Sequence, residues 1–264
     1  MTRSTPKVAG GARWLLRPPD PAAKARLFCL PYSGVGASMF AQWPRRIGGI
    51  EICPIQLPGR ENRIGDQHFG SYEQLAVDLT EALKPWLTVP FAVFGHCSGA
   101  LPAFETVVRI EELGLPSPKM LFVSGQVAPH DCPFDRLLDL DEDGLRAELS
   151  EVIRSRGAVA RPALVDAALT VLRNDLAATR GYRRFPPVRL GCGITAIHWD
   201  RDAEIERYQL DGWLRYSDTC RMIELSGGHY DVLSAPDSLL RAVSAWGKDE
   251  WQVCQPADEE ASSP

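Results

Sequence analysis

Residues 91–100 read FAVFGHCSGA, a short apolar stretch followed by a turn that has a glycine on each side of a cysteine. FAVFG has the composition of a buried strand, and apolar residues recur at helical spacing after the turn, at Leu101 and Phe104. A strand, a Gly-x-Cys-x-Gly turn and a helix are typical of a nucleophile elbow, where two glycines let strand and helix approach closely. The pattern places Cys97 at the apex and Ser98 beside it.

Strand and helix patterns alternate along the rest of the chain. Short β-branched or aromatic runs predict buried strands at 26–30, 50–56, 91–95, 119–125, 193–199 and 221–225. Apolar spacing predicts helices between them, at about 38–48, 71–87, 98–113, 204–216 and 236–246. This order predicts an α/β fold, with a mostly parallel central sheet that is covered by helices on both faces.

One segment interrupts this alternation. From Asp135 to about Arg184, two helical patterns follow each other without a strand, which predicts a helical lid inserted over the sheet. The polar, Pro-, Ala- and Ser-rich residues at both termini predict disorder, at 1–12 and in the C-terminal tail. The predicted organisation is an N-terminal tail and first strand region at 1–25, a core at 26–131 and 186–250, a lid at 132–185 and a disordered tail at 251–264.

The composition narrows the possible classes of protein. The chain has 264 residues, of which 45% are hydrophobic and 24% charged, as in an ordinary globular protein. A net charge of −5 with scattered arginines argues against a nucleic-acid partner. No long apolar window and no apolar secretion segment is present, which predicts a cytoplasmic protein without a membrane partner. The seven cysteines form no CxxC pair, which argues against a disulfide framework and a zinc site.

Partners for Cys97 follow two later strands. In this architecture the nucleophile precedes an acid, and the acid precedes a histidine. Asp200 and Asp202 come directly after the strand at 193–199, and His229 lies in the glycine-bearing loop LSGGHYD after the last strand. The order along the chain therefore predicts Cys97, one of the two aspartates, and His229 as a catalytic set.

An acyl-transfer site also needs N–H donors for the oxyanion of its intermediate. One expected donor is the backbone N–H of Ser98, directly after the nucleophile. The other is the backbone N–H of Ser33 in the loop LFCLPYSGVGAS (27–38), whose glycines allow close backbone approach. This loop matches neither GxGxxG nor the P-loop pattern, so we predict no nucleotide site.

Taken together, these segments resemble the type II thioesterases, stand-alone α/β-hydrolases that serve polyketide and nonribosomal peptide assembly lines. The resemblance covers roughly residues 26–245 and rests on LFCLPYSGVGASMFAQWP, IQLPGRENR, FGHCSGALPAFE, LFVSGQVAPH, AIHWDRDAEI and LSGGHYDVL. It implies an α/β-hydrolase fold with a mobile helical lid. It also implies a Ser-His-Asp triad that acts on acyl groups bound as thioesters to the phosphopantetheine arm of an acyl or peptidyl carrier protein, with no other cofactor and no metal.

By position, the resemblance assigns the nucleophile to Cys97, the histidine to His229, the acid to Asp202 with Asp200 as the alternative, and the backbone donors to Ser33 and Ser98. The main departure is the cysteine, because the family has serine there. A free thiol has a pKa of about 8.5, and a helix N-terminus with an imidazole partner is expected to lower the pKa of Cys97.

A cysteine at the apex leaves several interpretations open. Hydrolysis of an acyl-Cys97 thioester would make the chain a thioesterase. Because an acyl-cysteine keeps the transfer potential of a thioester, the chain could instead pass acyl or aminoacyl groups between carrier proteins or to another acceptor. A third interpretation is an inactive module that binds carrier proteins, although such a module should lack at least one of the site groups. The cysteine is also compatible with an engineered replacement of a natural serine.

Overall fold

The computed structural model describes residues 13–155 and 159–247. Within these ranges seven strands form one sheet, and their bounds are β1 Ala25–Leu30, β2 Arg46–Ile47, β3 Ile50–Pro54, β4 Phe91–His96, β5 Met120–Ser124, β6 Gly193–Trp199 and β7 Cys220–Leu225. Their order across the sheet is β2-β3-β1-β4-β5-β6-β7. Neighbouring strands are parallel except for the β2–β3 pair. The predicted disorder of both termini lies outside the described residues.

The α-helices of the described chain are α1 Tyr72–Leu83, α2 Ala100–Glu112, α3 Glu142–Ser155, α4 Pro162–Gly181 and α5 Asp237–Ser244. They confirm the helices predicted at 71–87, 98–113 and 236–246 and the two helices of the predicted insertion. The helix predicted at 204–216 is a shorter 3₁₀ helix, at Arg207–Arg215. No helix in the described ranges is both long and apolar enough to cross a bilayer.

The prediction of a helix at 38–48 was wrong. The structure has a short 3₁₀ helix at Ala37–Phe40, followed by strand β2. Pro44 disfavours helical backbone in the residue before it. Gly48 then adopts a φ of 59°, in the left-handed region that glycine enters without strain, and the chain reverses so that β2 pairs antiparallel with β3.

Alternate strand residues face two hydrophobic clusters, one on each side of the sheet. In β1, Phe28 and Leu30 belong to the first cluster, whereas Leu27 and Cys29 belong to the second. Helices α1 and α2 cover the first face, and α5 covers the second. This alternation follows from the two-residue period of a strand, and it confirms the prediction of a sheet buried on both faces.

The predicted lid region contains two helices that are held unequally. Helices α3 and α4 share a small leucine cluster, formed by Leu145, Leu169, Leu172 and Leu176. The C-terminal half of α4 is tied to the core, because Thr179 Oγ1 lies 2.7 Å from the hydroxyl of Tyr72 and both side chains are buried. Helix α3 is held to α4 by the exposed ion pair between Arg146 and Asp166. The division of the chain at 132 and 185 stays a prediction.

We expect the amides of α3 to exchange with solvent faster than those of the C-terminal half of α4 or of strand β4. Exposed ion pairs contribute less than about 1 kcal/mol each, whereas buried hydrogen-bonded contacts hold a segment against local opening. Hydrogen exchange followed by mass spectrometry measures the difference directly. Equal protection of α3 and β4 would contradict this prediction.

Candidate active site

Cys97 lies in the turn between β4 and α2, with a φ of 49° that is unfavourable for a residue with a side chain. The glycines on either side of the turn have no room for a Cβ atom. At Gly95 a Cβ would lie 2.3 Å from the carbonyl oxygen of Gly99, and at Gly99 it would lie 2.6 Å from that of Pro31. The strand–turn–helix geometry predicted for this stretch is therefore confirmed.

His229 and Asp202 form a buried pair at the carboxyl ends of β6 and β7. Nδ1 of His229 lies 2.8 Å from Oδ2 of Asp202, and their side chains are 4% and 0% exposed. The other carboxylate oxygen of Asp202 accepts the backbone N–H groups of Glu204 and Ile205, at 2.8 and 3.2 Å. These contacts fix the carboxylate, and the carboxylate in turn fixes the orientation of the imidazole.

Asp200, the alternative acid, has different partners. Its carboxylate accepts the hydroxyl of Ser226 at 3.0 Å and the backbone N–H of Gly227 at 2.8 Å. The residue is exposed, and its side chain forms an ion pair with Arg201. The structure thus places Asp202 against His229, whereas Asp200 binds the loop that follows β7.

Gly125, at the end of β5, provides the space for this pair. Its φ is 58°, and a Cβ at this position would lie 3.1 Å from Cε1 of His229 and 3.3 Å from Oδ2 of Asp202. A side chain here would strain the backbone and press on both members of the pair.

We expect Gly125→Ala to lower kcat/KM for an acyl thioester by about 10-fold, since contacts of 3.1 and 3.3 Å force His229 and Asp202 to shift by a few tenths of an ångström, whereas a displacement near 1 Å costs about 10²-fold. Gly114→Ala is the matched control, because Gly114 also has a positive φ, 62°, but a Cβ there meets nothing within 4 Å. The two variants should lose similar thermal stability and differ in activity. Equal activity of the two would contradict the assigned role of Gly125.

Cys97 and His229 face each other across the site. Sγ of Cys97, a ring nitrogen of His229 and a carboxylate oxygen of Glu204 all lie within 4.8 Å of one another. Nε2 of His229 is buried and has no hydrogen-bond partner among the described residues. This nitrogen is therefore available to exchange a proton with the sulfur.

The charges around the site act on both groups. Burial lowers the pKa of His229, but the contacts with Asp202 and Cys97 and the charge of Glu204 outweigh burial and make the net shift upward. Burial raises the pKa of Asp202, yet its hydrogen bond to His229 makes the net shift downward. The pair is thus organised to stabilise an imidazolium ion.

The pKa of the Cys97 thiol differs from the prediction. Burial raises it above its ordinary value, and the neighbouring imidazole of His229 offsets only part of that increase. The carboxylates of Asp135 and Glu204 raise it further. Burial therefore favours the protonated thiol, whereas the neighbouring carboxylates favour a protonated imidazole.

The two residues that were predicted to supply backbone donors contact each other through the hydroxyl of Ser98. The backbone N–H of Ser33 donates to the hydroxyl of Ser98 at 2.7 Å, and the hydroxyl of Ser33 donates to the same oxygen at 2.7 Å. Ser98 is buried, at the start of the helix that follows the elbow. Its hydroxyl therefore takes the hydrogen bond that an oxyanion would accept from Ser33.

Three further site residues were not predicted from the sequence. Oε1 of Glu204 accepts Nε of Arg136 and the hydroxyl of Tyr230, both at 2.8 Å, and Oε2 lies 3.5 Å from Nε2 of His229. Arg136 belongs to the lid region, so this contact joins the lid to the site. The sequence signals were that Glu204 falls within the segment AIHWDRDAEI and Tyr230 within the segment LSGGHYDVL.

A buried carboxylate on α4 holds the loop that contains Ser33. Asp175 accepts the backbone N–H of Gly34 at 2.7 Å, forms two hydrogen bonds with Arg60 at 2.6 and 2.7 Å, and contacts Nε2 of His68 at 2.8 Å. Burial raises the pKa of Asp175, but the charge of Arg60 and the contact with His68 make the net shift downward. Arg60 lies in the IQLPGRENR segment, whose role the sequence did not indicate.

A cavity lies above Cys97, between the lid and the strand ends. It encloses about 550 Å³, part of it open to solvent. Its lining combines apolar side chains with the polar groups around Glu204, and includes Tyr32, Val35, Leu137, Leu149, Val152, Leu172, Arg136, Glu148 and Tyr230. The lining suits an extended, largely apolar group that reaches the sulfur.

The parallel sheet, the elbow after β4 and the acid and histidine loops after β6 and β7 define an α/β-hydrolase fold. The sequence profile of the Thioesterase domain family matches residues 25–246, and the chain belongs to this family. It is accordingly a thioesterase.

Similar proteins that are named as thioesterases agree with this assignment. The chain is 34% identical over 225 residues to thioesterase PikA5 of Streptomyces venezuelae, covering 82% of this chain and 79% of PikA5. The type II thioesterase BorB from the borrelidin biosynthetic cluster superposes with a TM-score of 0.75 at 28% identity, covering 89% and 96% of the two chains. YbtT, a type II thioesterase of the yersiniabactin NRPS/PKS pathway, gives 0.74 at 25% identity, covering 88% and 96%.

Proposed function

We propose that this thioesterase hydrolyses acyl groups from the phosphopantetheine arm of acyl or peptidyl carrier proteins in a polyketide or nonribosomal peptide assembly line, through an acyl-Cys97 intermediate. The observation that carries the proposal is the buried Nε2 of His229, which accepts or donates no hydrogen bond within the described ranges and is held beside Cys97 by the buried contact with Asp202. The assembly-line setting is supported by the pathways named for BorB and YbtT.

In the first half-reaction, Sγ of Cys97 attacks the carbonyl carbon of the substrate thioester as its proton passes to Nε2 of His229. The tetrahedral intermediate then breaks the bond between carbon and the pantetheine sulfur. His229 returns the proton to that sulfur, so a free pantetheine thiol leaves and the acyl group stays on Cys97. The upward shift in the pKa of His229 makes the imidazole a stronger base, which favours its acceptance of the thiol proton and stabilises the imidazolium that later donates to the leaving sulfur.

In the second half-reaction, water attacks the acyl-Cys97 carbonyl and gives a proton to His229. Collapse of the intermediate breaks the C–S bond, releases the carboxylic acid and returns the proton to Cys97. Acylation makes the sulfur unable to ionise, and so removes one of the causes that raise the pKa of the His229 imidazole. His229 is therefore a stronger candidate for a general base after acylation than before it.

The backbone N–H groups of Ser33 and Ser98 are the proposed oxyanion donors. The backbone N–H of Ser33 now donates a hydrogen bond to the hydroxyl of Ser98, and that bond must break before the N–H can donate to an oxyanion. Gly34 is held by Asp175, so the backbone around the donor stays in place when the hydroxyl turns away. The rearrangement needs one side-chain rotation and no movement of the loop.

Acyl transfer is the second candidate, and the sulfur of Cys97 is the observation that favours it. An acyl-cysteine is itself a thioester, so transfer of its acyl group to another thiol is close to thermoneutral. The same transfer from an acyl-serine would convert an ester into a thioester, which is energetically unfavourable. A second carrier protein, an amine or a hydroxyl group could then replace water as the acceptor.

A competition experiment distinguishes the two candidates. The enzyme is incubated with an acylated carrier protein and increasing amounts of an unacylated phosphopantetheinyl carrier protein, and free acid and acylated acceptor are measured by mass spectrometry. We expect free acid to be the main product, and Cys97→Ser, the matched control, to shift the ratio further towards hydrolysis. If acylated acceptor were the sole product, the proposed activity would be acyl transfer and not hydrolysis.

A further inference from the structure

Glu204 introduces a carboxylate that the reaction proposed above does not use. Among the described residues, Sγ of Cys97, a ring nitrogen of His229 and a carboxylate oxygen of Glu204 lie mutually within 4.8 Å. The separation between Nε2 of His229 and Oε2 of Glu204 is 3.5 Å. One sulfur, one nitrogen and one oxygen ligand therefore converge on a single point, although the cysteine spacing in the sequence argued against a zinc site.

The histidine is prepared as a metal ligand. Its Nε2 atom is buried and, within the described part of the chain, has no hydrogen-bond partner. Its Nδ1 atom is bound to the carboxylate of Asp202 at 2.8 Å, and Asp202 is itself fixed by two backbone N–H groups. A carboxylate behind a histidine in this way orients the ring and increases its basicity towards a metal.

The carboxylate of Glu204 is oriented in the same manner. Arg136 and Tyr230 both donate to Oε1 at 2.8 Å, which leaves Oε2 directed towards His229. In tetrahedral zinc sites, neighbouring ligand atoms are about 3.5 Å apart, as follows from Zn–N, Zn–O and Zn–S distances of about 2.0–2.3 Å. The nitrogen–oxygen separation already has this value, and since the sulfur lies within 4.8 Å of both atoms, each of its separations must shorten by no more than about 1.3 Å to match it.

We propose that Cys97, His229 and Glu204 form a Zn²⁺ site that reversibly inhibits this thioesterase. Binding breaks the S–H bond of Cys97, forms an S–Zn bond and releases the thiol proton to the buffer. Three protein ligands leave the fourth tetrahedral position to water. With Sγ and Nε2 both bound to the metal, the sulfur cannot attack a thioester and the imidazole cannot exchange a proton with it.

The cysteine decides whether this site exists. A thiolate is a soft ligand that selects zinc over magnesium or calcium, whereas a neutral serine hydroxyl in the same place is a poor zinc ligand. Cys97→Ser keeps the elbow, the imidazole and both carboxylates while removing the metal-binding atom. It is therefore the most direct control for the proposal.

The test measures metal binding independently of activity. The full-length protein is treated with chelator, and Zn²⁺ is titrated calorimetrically. Co²⁺ is titrated under reducing, oxygen-free conditions, where a bound thiolate gives a charge-transfer absorption. We expect one ion per chain, a loss of affinity of about 100-fold or more in Cys97→Ser and at least about 10-fold in Glu204→Gln, since even outer ligand partners contribute 10–100-fold. Cys220→Ser, at the opposite end of β7, should bind normally.

The inhibition is tested with a small acyl thioester. Zn²⁺ should abolish turnover by the parent protein and by Cys220→Ser, and chelator should restore it. Equal affinity of the parent and Cys97→Ser for Zn²⁺, or the absence of thiolate absorption with Co²⁺, would overturn the proposal. Because binding and turnover are measured separately, the metal site can fail while the proposed hydrolysis stands, and the reverse also holds.

Discussion

Cys97→Ala is expected to lower thioester turnover by about 10⁵-fold, because removal of the nucleophile from a catalytic unit disables the unit as a whole. Cys97 lies at the apex of the elbow, and its sulfur lies within 4.8 Å of a ring nitrogen of the buried His229. Intact-mass measurement during turnover should show an acyl adduct on the parent protein and none on the variant. Residual turnover would come from the oxyanion donors and substrate binding alone.

Two further variants separate this effect from a loss of folding. Cys97→Ser retains a nucleophilic atom in the same backbone conformation and should keep measurable turnover. Cys132→Ala removes a buried cysteine whose pKa is raised to about 12 by burial, which makes it unreactive at neutral pH. It should form the acyl adduct normally. An adduct of equal yield on Cys97→Ala would move the nucleophile elsewhere.

The elbow could be predicted from the sequence because its causes are local. Gly95 and Gly99 flank one residue at fixed spacing, and the close approach of strand and helix requires both glycines. The six predicted strands were confirmed for a similar reason, since each is a short apolar run that pairs in a buried sheet. The helix predicted at 38–48 was wrong because its apolar spacing competes with Pro44 and with the turn at Gly48, which allow a short β-strand instead.

Contacts between distant segments could not be predicted in this way. Asp175 and Gly34 are 141 positions apart, and Asp175 and Arg60 are 115 apart, yet one buried carboxylate joins them. Glu204 meets Arg136 across 68 positions. In each case the partner is contributed by the lid region, whose placement over the sheet depends on tertiary packing and leaves no periodic pattern in the sequence.

The pKa of the thiol shows the same limit for electrostatics. The sequence indicates a helix N-terminus and an imidazole near Cys97, and both lower the pKa of a thiol. It does not indicate how deeply the sulfur is buried or that the carboxylates of Asp135 and Glu204 lie close to it. Burial, with a smaller contribution from these carboxylates, makes the net shift of the thiol pKa upward.

Asp202 and Glu204 contact opposite nitrogens of His229 and so have different effects. Asp202 binds Nδ1, away from the sulfur, and sets which nitrogen faces Cys97. Glu204 lies on the Nε2 side and competes with the sulfur for that nitrogen. Loss of Asp202 is therefore expected to impair proton transfer, whereas loss of Glu204 should leave the orientation of the imidazole intact.

Asp202→Asn is expected to lower kcat by about 10⁴-fold, the effect of the same change in an established catalytic triad. An asparagine amide can present an N–H group to Nδ1 of His229, which places the remaining ring proton on Nε2. The nitrogen that faces Cys97 would then carry a proton before the reaction and could not accept the one from sulfur. The KM for a small acyl thioester should change little, because Asp202 does not line the cavity.

Asp200→Asn is the matched control, because it makes the same chemical change two residues earlier in the same loop. Asp200 is exposed and binds Ser226 and Gly227 rather than the imidazole, so Asp200→Asn should leave kcat close to that of the parent protein. The combination Cys97→Ala with Asp202→Asn should be no slower than Cys97→Ala alone, since members of one catalytic unit are not additive. A larger loss of kcat from Asp200→Asn than from Asp202→Asn would assign the role of the acid to Asp200. Additive losses of kcat in the double variant would mean that Asp202 acts independently of Cys97.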